Sequence, residues 1–152
     1  QRNKMKLNEF IKKKSICIDT DFDSKKTLFK EIGKIIENET NINSLKIIEK
    51  LNEREMLGST GVGEGVAIPH AKVDGLIKTI VLFFRLKAPV DFSASDKKKV
   101  DIIFTIIAPE DSQSEHLLIL SSISNFLKKK GMLNKLRSYR NVDEIMSSFS
   151  KI

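Results

Sequence analysis

TIVLFFRL (Thr79–Leu86) and VDIIFTIIA (Val100–Ala108) are the two stretches that set the fold class. Each is short, rich in β-branched and aromatic residues, and close to continuously apolar. That pattern marks a strand covered on both faces rather than one with a wet side. Pro109 ends the second run, and Pro89 with Lys97–Lys99 makes the segment between the two a loop. Burial on both faces requires helices on both sides of a sheet. Upstream, Asp23 or Ser24 can cap a helix to about Glu37, with Leu28, Phe29, Ile32, Ile35 and Ile36 at helical spacing. A second helix runs from about Ser44 to Met56, with Leu45, Ile48 and Leu51 on one face and Gly58 as its stop. Downstream, Ser112 and Glu115 have the spacing of a capping box, opening a helix to about Lys130 whose stripe reads Leu117, Leu120, Ile123 and Leu127. Lys128–Lys130 suit its negative end, and Gly131 stops it. Met132–Tyr139 reads as a shorter helix, and Asn141 with Glu144 resembles the cap of a last one bearing Ile145, Met146 and Phe149. At the front, Leu7–Lys13 reads as a short helix and Ser15–Asp19 as a short strand. The expectation is an α/β fold: four to six short strands, helices on both faces, no internal repeat and no domain boundary within residues 1–152.

Bulk properties narrow the function classes. A chain of 152 residues with 40% hydrophobic content suits one domain with a sizeable core. The formal charge of +7 raises nucleic-acid binding, but the lysines are scattered in small runs, with no Trp and a single Tyr to stack bases. A solvated basic surface is the favoured reading. No apolar run approaches the roughly 18 residues of a membrane span, so no membrane insertion is expected. The segment QRNKMKLNEF lacks the apolar stretch of a signal peptide, and Cys17 is the sole cysteine, which fits a reducing cytoplasm. Met5 is the first residue able to initiate translation, leaving Gln1–Lys4 as a cloning remnant or an uncertain start. Cys17, His70 and His116 have no metal-ligand spacing, and no serine nucleophile elbow is present.

Between the second helix and the first long strand lies LGSTGVGEGVAIPHAK, Leu57–Lys72. It holds four of the seven glycines and one of the two histidines. A P-loop would need Lys after Gly63, where Glu64 stands. A dinucleotide fingerprint would need the glycines to open a helix, which Val66–Pro69 cannot do. The remaining reading is a reactive histidine on a glycine-shaped loop, with Pro69 stiffening the exit toward His70. Two more residues have competing readings. Arg54, in the last turn of its helix, is either a cation compensating the helix dipole or a planar fork for a phosphoryl group. His116, in the first turn of the long downstream helix, is either a packing histidine or a ring kept neutral by the positive helix end.

Taken with Arg54 and Glu55 upstream, this phrase is similar to the active-site segment of the phosphotransferase-system enzyme IIA domains of the mannitol/fructose type, which read roughly R-E, then G-S-T-G-I-G-x-G-I-A-I-P-H. His116-Leu117-Leu118-Ile119-Leu120 matches the family's H-L-x-x-L phrase. The resemblance implies a mixed, mainly parallel sheet of about five strands flanked by helices. It implies that His70 accepts a phosphoryl group on Nε2 from a phosphohistidine on a small HPr-like carrier protein, with His116 and Arg54 assisting and no cofactor. Ser59, Thr60, Gly61 and Glu64 are read as phosphoryl-loop support: for Ser59 and Thr60 the alternatives are loop hydrogen bonds, the favoured role, and phosphoryl contacts; for Glu64 they are orienting a ring or loop amide and simple solvation. Leu86–His116 looks like the nitrogen-regulatory branch through Pro89, Asp91, Phe92, Asp96, Val100, Asp101 and Pro109, with Lys99 in place of the usual Pro. That branch implies regulatory protein targets read by phosphorylation state; the alternative is a sugar-specific component that hands phosphate to a IIB domain. Val62, Val66, Ile68 and Leu76 are the expected apolar docking patch, and a monomer or weak dimer the expected state.

Overall fold

The computed structural model describes residues 5–152, so the reading of Gln1–Lys4 lies outside the described residues. After two 3-10 turns, Leu7–Glu9 and Lys13–Ser15, the chain forms β1 (Ile16–Thr20), α1 (Lys25–Thr40), α2 (Ser44–Met56), β2 (Gly61–Gly63), β3 (Val66–Ala67), β4 (His70–Val73), β5 (Ile80–Val90), β6 (Val100–Pro109), α3 (Glu115–Leu127), α4 (Met132–Ser138) and α5 (Val142–Phe149). The sheet runs β1-β5-β6, with β3 and β4 both on the far edge of β6 and β2 outside β3. It is mixed, as expected. β1 is parallel to β5, and β3 and β4 are parallel to β6, whereas β2–β3 and β5–β6 are antiparallel. The central pair runs antiparallel because only residues 91–99 join β5 to β6, and a parallel crossover needs a dozen residues or more.

Both long strands are covered on both faces, as their continuous apolar runs required. Leu82, Phe84, Ile103 and Ile107 pack against Leu28, Phe29, Ile32, Ile36, Ile47 and Leu51 of α1 and α2. Val81, Phe83, Ile102, Phe104 and Ile106 face the opposite way, against Ile119, Ile123, Phe126, Leu136, Ile145 and Phe149 of α3–α5. The Phe149 ring meets Phe83 and Phe104 with centroids 5.5 Å away from each.

Local chemistry sets the helix ends. Ser24 caps α1 in a reciprocal box: its Oγ accepts from the Thr27 N–H at 3.3 Å, and the Thr27 Oγ1 accepts from the Ser24 N–H at 3.1 Å. Gly33 lies inside α1 because a Cβ there would come within 2.9 Å of the Ser44 carbonyl oxygen, so α1 and α2 cross closely. The Asn141 side chain accepts from the Glu144 N–H at 3.0 Å, as read for α5.

Three expectations are corrected. α3 has no capping box: the Glu115 carboxylate accepts instead from the Thr79 hydroxyl at 2.7 Å, and the Ser112 Oγ is buried without a partner among the described residues. The helix ends at Leu127 rather than Lys130, and Gly131, at φ 78°, precedes α4. Its buried stripe is Ile119, Ile123 and Phe126, leaving Leu117 exposed, and on α2 Ile47 and Leu51 are buried while Leu45 faces solvent. In both helices several apolar residues are adjacent in sequence, so spacing alone could not choose the buried one.

Candidate active site around His70

The glycine-rich stretch is not an open loop. β2 and β3 form a small hairpin, and β3 and β4 follow one another along a single edge of β6. Val66 faces Ile102, Ala67 faces Ile103 and His70 faces Ile106, all at one register offset. Pro69 interrupts the ladder without breaking the line, since it has no N–H to give and its carbonyl still accepts from the Ile106 N–H at 3.0 Å. Alternation along β4 then fixes the direction of the histidine. Ala71 and Val73 point into the core under α1 and α2, so His70 and Lys72 point to the α3 side.

Contacts outside the strand shape the hairpin. Ser59 donates its hydroxyl to the Phe92 carbonyl and accepts from the Gly61 N–H at 3.0 Å. A Cβ at Gly61 would come within 2.8 Å of the Ala94 side chain, so only glycine permits this approach. Glu64 has φ 58°, and its N–H donates to Asp96 at 2.9 Å. Its carbonyl accepts from the Arg137 guanidinium at 2.7 Å, and Arg137 also grips Asp101 at 2.9–3.2 Å. The Glu64 carboxylate itself is exposed, 3.6 Å from the Lys98 amine. The Glu64 side chain thus lies in solvent beside Lys98, while its backbone anchors the loop.

At the imidazole, the two nitrogens have different partners. Nδ1 lies 2.9 Å from the Ile68 carbonyl oxygen, and the Arg54 Nε–H points at Nε2 from 3.3 Å. A carbonyl cannot donate and a guanidinium cannot accept, so the ring proton belongs on Nδ1 and the lone pair on Nε2. Burial is the largest influence on the His70 pKa and lowers it; the Ile68 carbonyl raises it, Arg54 lowers it and Glu55 raises it. The net shift is downward from 6.5, which keeps the ring neutral at pH 7.

Arg54 occupies the last turn of α2, as read, and its second arm donates to the Gly58 carbonyl at 2.9 Å. His116 opens α3, half-buried, with a buried Nδ1 that has no hydrogen-bond partner among the described residues. Burial lowers its pKa most, then the Lys72 charge and the repulsion from His70 when both rings are protonated, against an opposing pull from the Gln113 backbone. The structure therefore brings His70, Arg54 and His116 into one locality. Sequence reasoning missed two of their neighbours. Lys72 is one, and its signal was its place two residues from His70 on a strand. Glu55 is the other: its carboxylate accepts from the Thr60 N–H at 2.9 Å, the Thr60 hydroxyl at 2.7 Å and the Lys25 amine at 3.2 Å.

The expected docking patch is also corrected. Val66, Ile68 and Leu76 are buried, because the first two belong to the core under α3 and Leu76 to the other one. Only Val62 of that set is exposed. The large apolar side chains open to solvent next to Arg54 and His116 in sequence are instead Met56 and Leu57 at the end of α2 and Leu117 and Leu118 at the start of α3. Among the described residues, no group of three or more His, Cys, Asp or Glu is placed to hold a metal ion, and no helix is long and apolar enough to cross a membrane.

An imidazole held neutral with its outer lone pair beside a guanidinium can act as a nucleophile toward an anionic electrophile. The sequence pattern of the family described as phosphoenolpyruvate-dependent sugar phosphotransferase system, EIIA 2, matches residues 9–152, and the chain belongs to that family. Within it the chain is similar to proteins of the nitrogen-regulatory kind. It is 36% identical to the nitrogen regulatory protein homolog of Haemophilus influenzae, across 95% of this chain and 91% of that one. It is also 36% identical to the nitrogen regulatory protein of Bradyrhizobium diazoefficiens, with 94% of each chain covered. The crystal structure of nitrogen regulatory protein IIA-Ntr from Neisseria meningitidis superposes with a TM-score of 0.90 at 35% identity, covering 94% of this chain and 98% of that one.

Proposed function

We propose that this protein is a phosphoryl carrier of the nitrogen-regulatory phosphotransferase branch, phosphorylated on His70 Nε2 and acting on regulatory protein targets in the cytoplasm through its phosphorylation state. The observation that carries the reading is the division of labour between the two ring nitrogens of His70: Nδ1 tied to the Ile68 carbonyl, Nε2 left unprotonated with its lone pair toward Arg54. The donor is a phosphohistidine on an HPr-like carrier. In transfer, the His70 Nε2–P bond forms as the donor's N–P bond breaks, and the donor imidazole leaves with the electron pair of that bond. The His70 ring becomes cationic, and the Ile68 carbonyl facing Nδ1–H stabilises that charge. Arg54 yields Nε2 to the phosphorus and turns its N–H fork to the equatorial oxygens, where transition-state charge collects. His116, kept neutral by burial, retains one N–H to give to a phosphoryl oxygen.

Regulation follows from charge. A phosphohistidine adds about −1.5 to −2 charge, by analogy with other phosphorylated side chains. A target pressed over the site would have to desolvate that dianion, so the two states present different surfaces without refolding. The test is incubation with phosphoenolpyruvate and the purified carriers of the nitrogen and sugar branches, followed by intact-mass measurement. Wild type should gain one phosphoryl group, faster from the nitrogen-branch carrier, and His70→Ala none. Full labelling of His70→Ala would refute the site.

A further inference from the structure

The carboxylate of Glu55 is almost buried, with 7% of the side chain exposed, and its hydrogen bonds go to Lys25 and Thr60 rather than to His70. Its partners trace a continuous path to the ring. Glu55 takes both the N–H and the hydroxyl of Thr60, at 2.9 and 2.7 Å. The Thr60 carbonyl accepts from the Ile68 N–H at 2.9 Å. The Ile68 carbonyl, in turn, accepts from His70 Nδ1 at 2.9 Å. Thr60 is itself buried, so these bonds are shielded from water. On its other side Glu55 is held by Lys25, the first residue of α1.

We propose that Glu55 is a positioning residue for His70, fixing its Nδ1–H tautomer and ring orientation through Thr60 and Ile68. The inference rests on the phosphoryl-carrier reading and adds to it the group that sets the nucleophile from behind. Arg54 and Glu55 are neighbours at the end of α2 and act on opposite sides of the ring. Arg54 reaches the nitrogen that reacts, and Glu55 governs the nitrogen that does not. Removing the carboxylate loosens Thr60 and the Ile68 N–H bound to it, and through the Ile68 backbone it frees the adjoining carbonyl that accepts from the ring N–H. An imidazole released from that carbonyl distributes its proton over both nitrogens, and molecules protonated on Nε2 cannot attack phosphorus. Glu55 also opposes Arg54 electrostatically at the ring, since its charge favours a more basic imidazole.

A bland role also exists: Glu55 could do no more than pair with Lys25 and stiffen the loop. The experiment separates the two with a readout that loop stability alone does not move. Nitrogen-15 NMR of the unphosphorylated protein reports the protonation of each His70 ring nitrogen. Single-turnover transfer from the carrier is measured beside it for wild type, Glu55→Gln, Thr60→Val and Thr60→Ser. Wild type and Thr60→Ser should show the Nδ1–H tautomer. Glu55→Gln and Thr60→Val should shift it toward Nε2–H and slow transfer by about tenfold, a usual cost of removing the group that orients a histidine from its far side. Half-saturation for the carrier should stay within about twofold, because the docking surface is untouched. Retention of the Nδ1–H tautomer at wild-type rates in both variants would overturn the proposal. If Glu55→Gln does not fold, the isosteric Thr60→Val decides by the same criteria. A wild type that shows the tautomer but takes no phosphoryl group would sink the carrier reading instead and leave the positioning inference standing.

Discussion

The β5–β6 pair and the β2–β4 edge belong to one sheet but are held by different forces. In the pair, Val81–Phe84 and Ile102–Phe104 are almost fully buried, and side-chain packing on both faces fixes the register. At the edge, strands of two to four residues are pinned by polar contacts from Glu55, Asp96 and Arg137. Apolar burial has no direction, whereas a hydrogen bond fixes an angle. The nucleophile we propose must be aimed, and His70 stands where the second kind of force dominates.

Substitutions can separate the two regions. The largest effect should be His70→Ala, which abolishes acid-labile labelling by the carrier yet leaves the unfolding free energy within about 1 kcal/mol of wild type; His116→Ala should retain partial labelling. Phe104→Ala should do the reverse, costing about 3–5 kcal/mol in urea unfolding through the cavity between Phe83 and Phe149, with the folded fraction still accepting phosphate. Arg54→Lys should slow single-turnover transfer by about tenfold or more while docking of the carrier changes less, because a point charge cannot replace a planar fork. Unchanged rates would show that Arg54 only terminates its helix.

The smallest effect is on pH dependence. Burial lowers the pKa of both His70 and His116 below the ordinary 6.5. In the window between 6.5 and the folded values, the unfolded chain binds more protons than the folded one. Stability from these rings is therefore complete above pH 6.5 and is lost as pH falls through the folded pKa values. Transfer rates should be level across neutral pH and decline only below that same window. A rate that already halves near pH 7 would mean that burial does not control the ring.

What the sequence showed, and what it hid, follows the same division. Two-sided burial of Thr79–Leu86 and Val100–Ala108 was plain in their composition, and the Ser24 and Asn141 caps are local chemistry within four residues. Arg54 and His70 could be paired from their motif, and the structure sets them 3.3 Å apart. The strands at 61–63 and 66–67 were hidden because so few residues cannot display a period. Glu55 was hidden for another reason: its role needs Lys25 from α1 and Thr60 from the hairpin to meet at one carboxylate. Val66 and Ile68 were misjudged as docking residues because an apolar side chain looks the same in sequence whether it lines a core or a surface.

One consequence of the β3–β4 line concerns how such a gene can change length. Ala67 and His70 sit opposite Ile103 and Ile106 of β6 at one register offset, with Ile68 and Pro69 as the only spacer between them. Deleting or inserting a single codon there would slip β4 by one place, swing the imidazole into the core under α1 and α2, and turn Ala71 outward. The turn at residues 128–131, exposed between α3 and α4, has no such constraint. Length variation in descendants of this chain should therefore gather in that turn and be purged between Ala67 and His70.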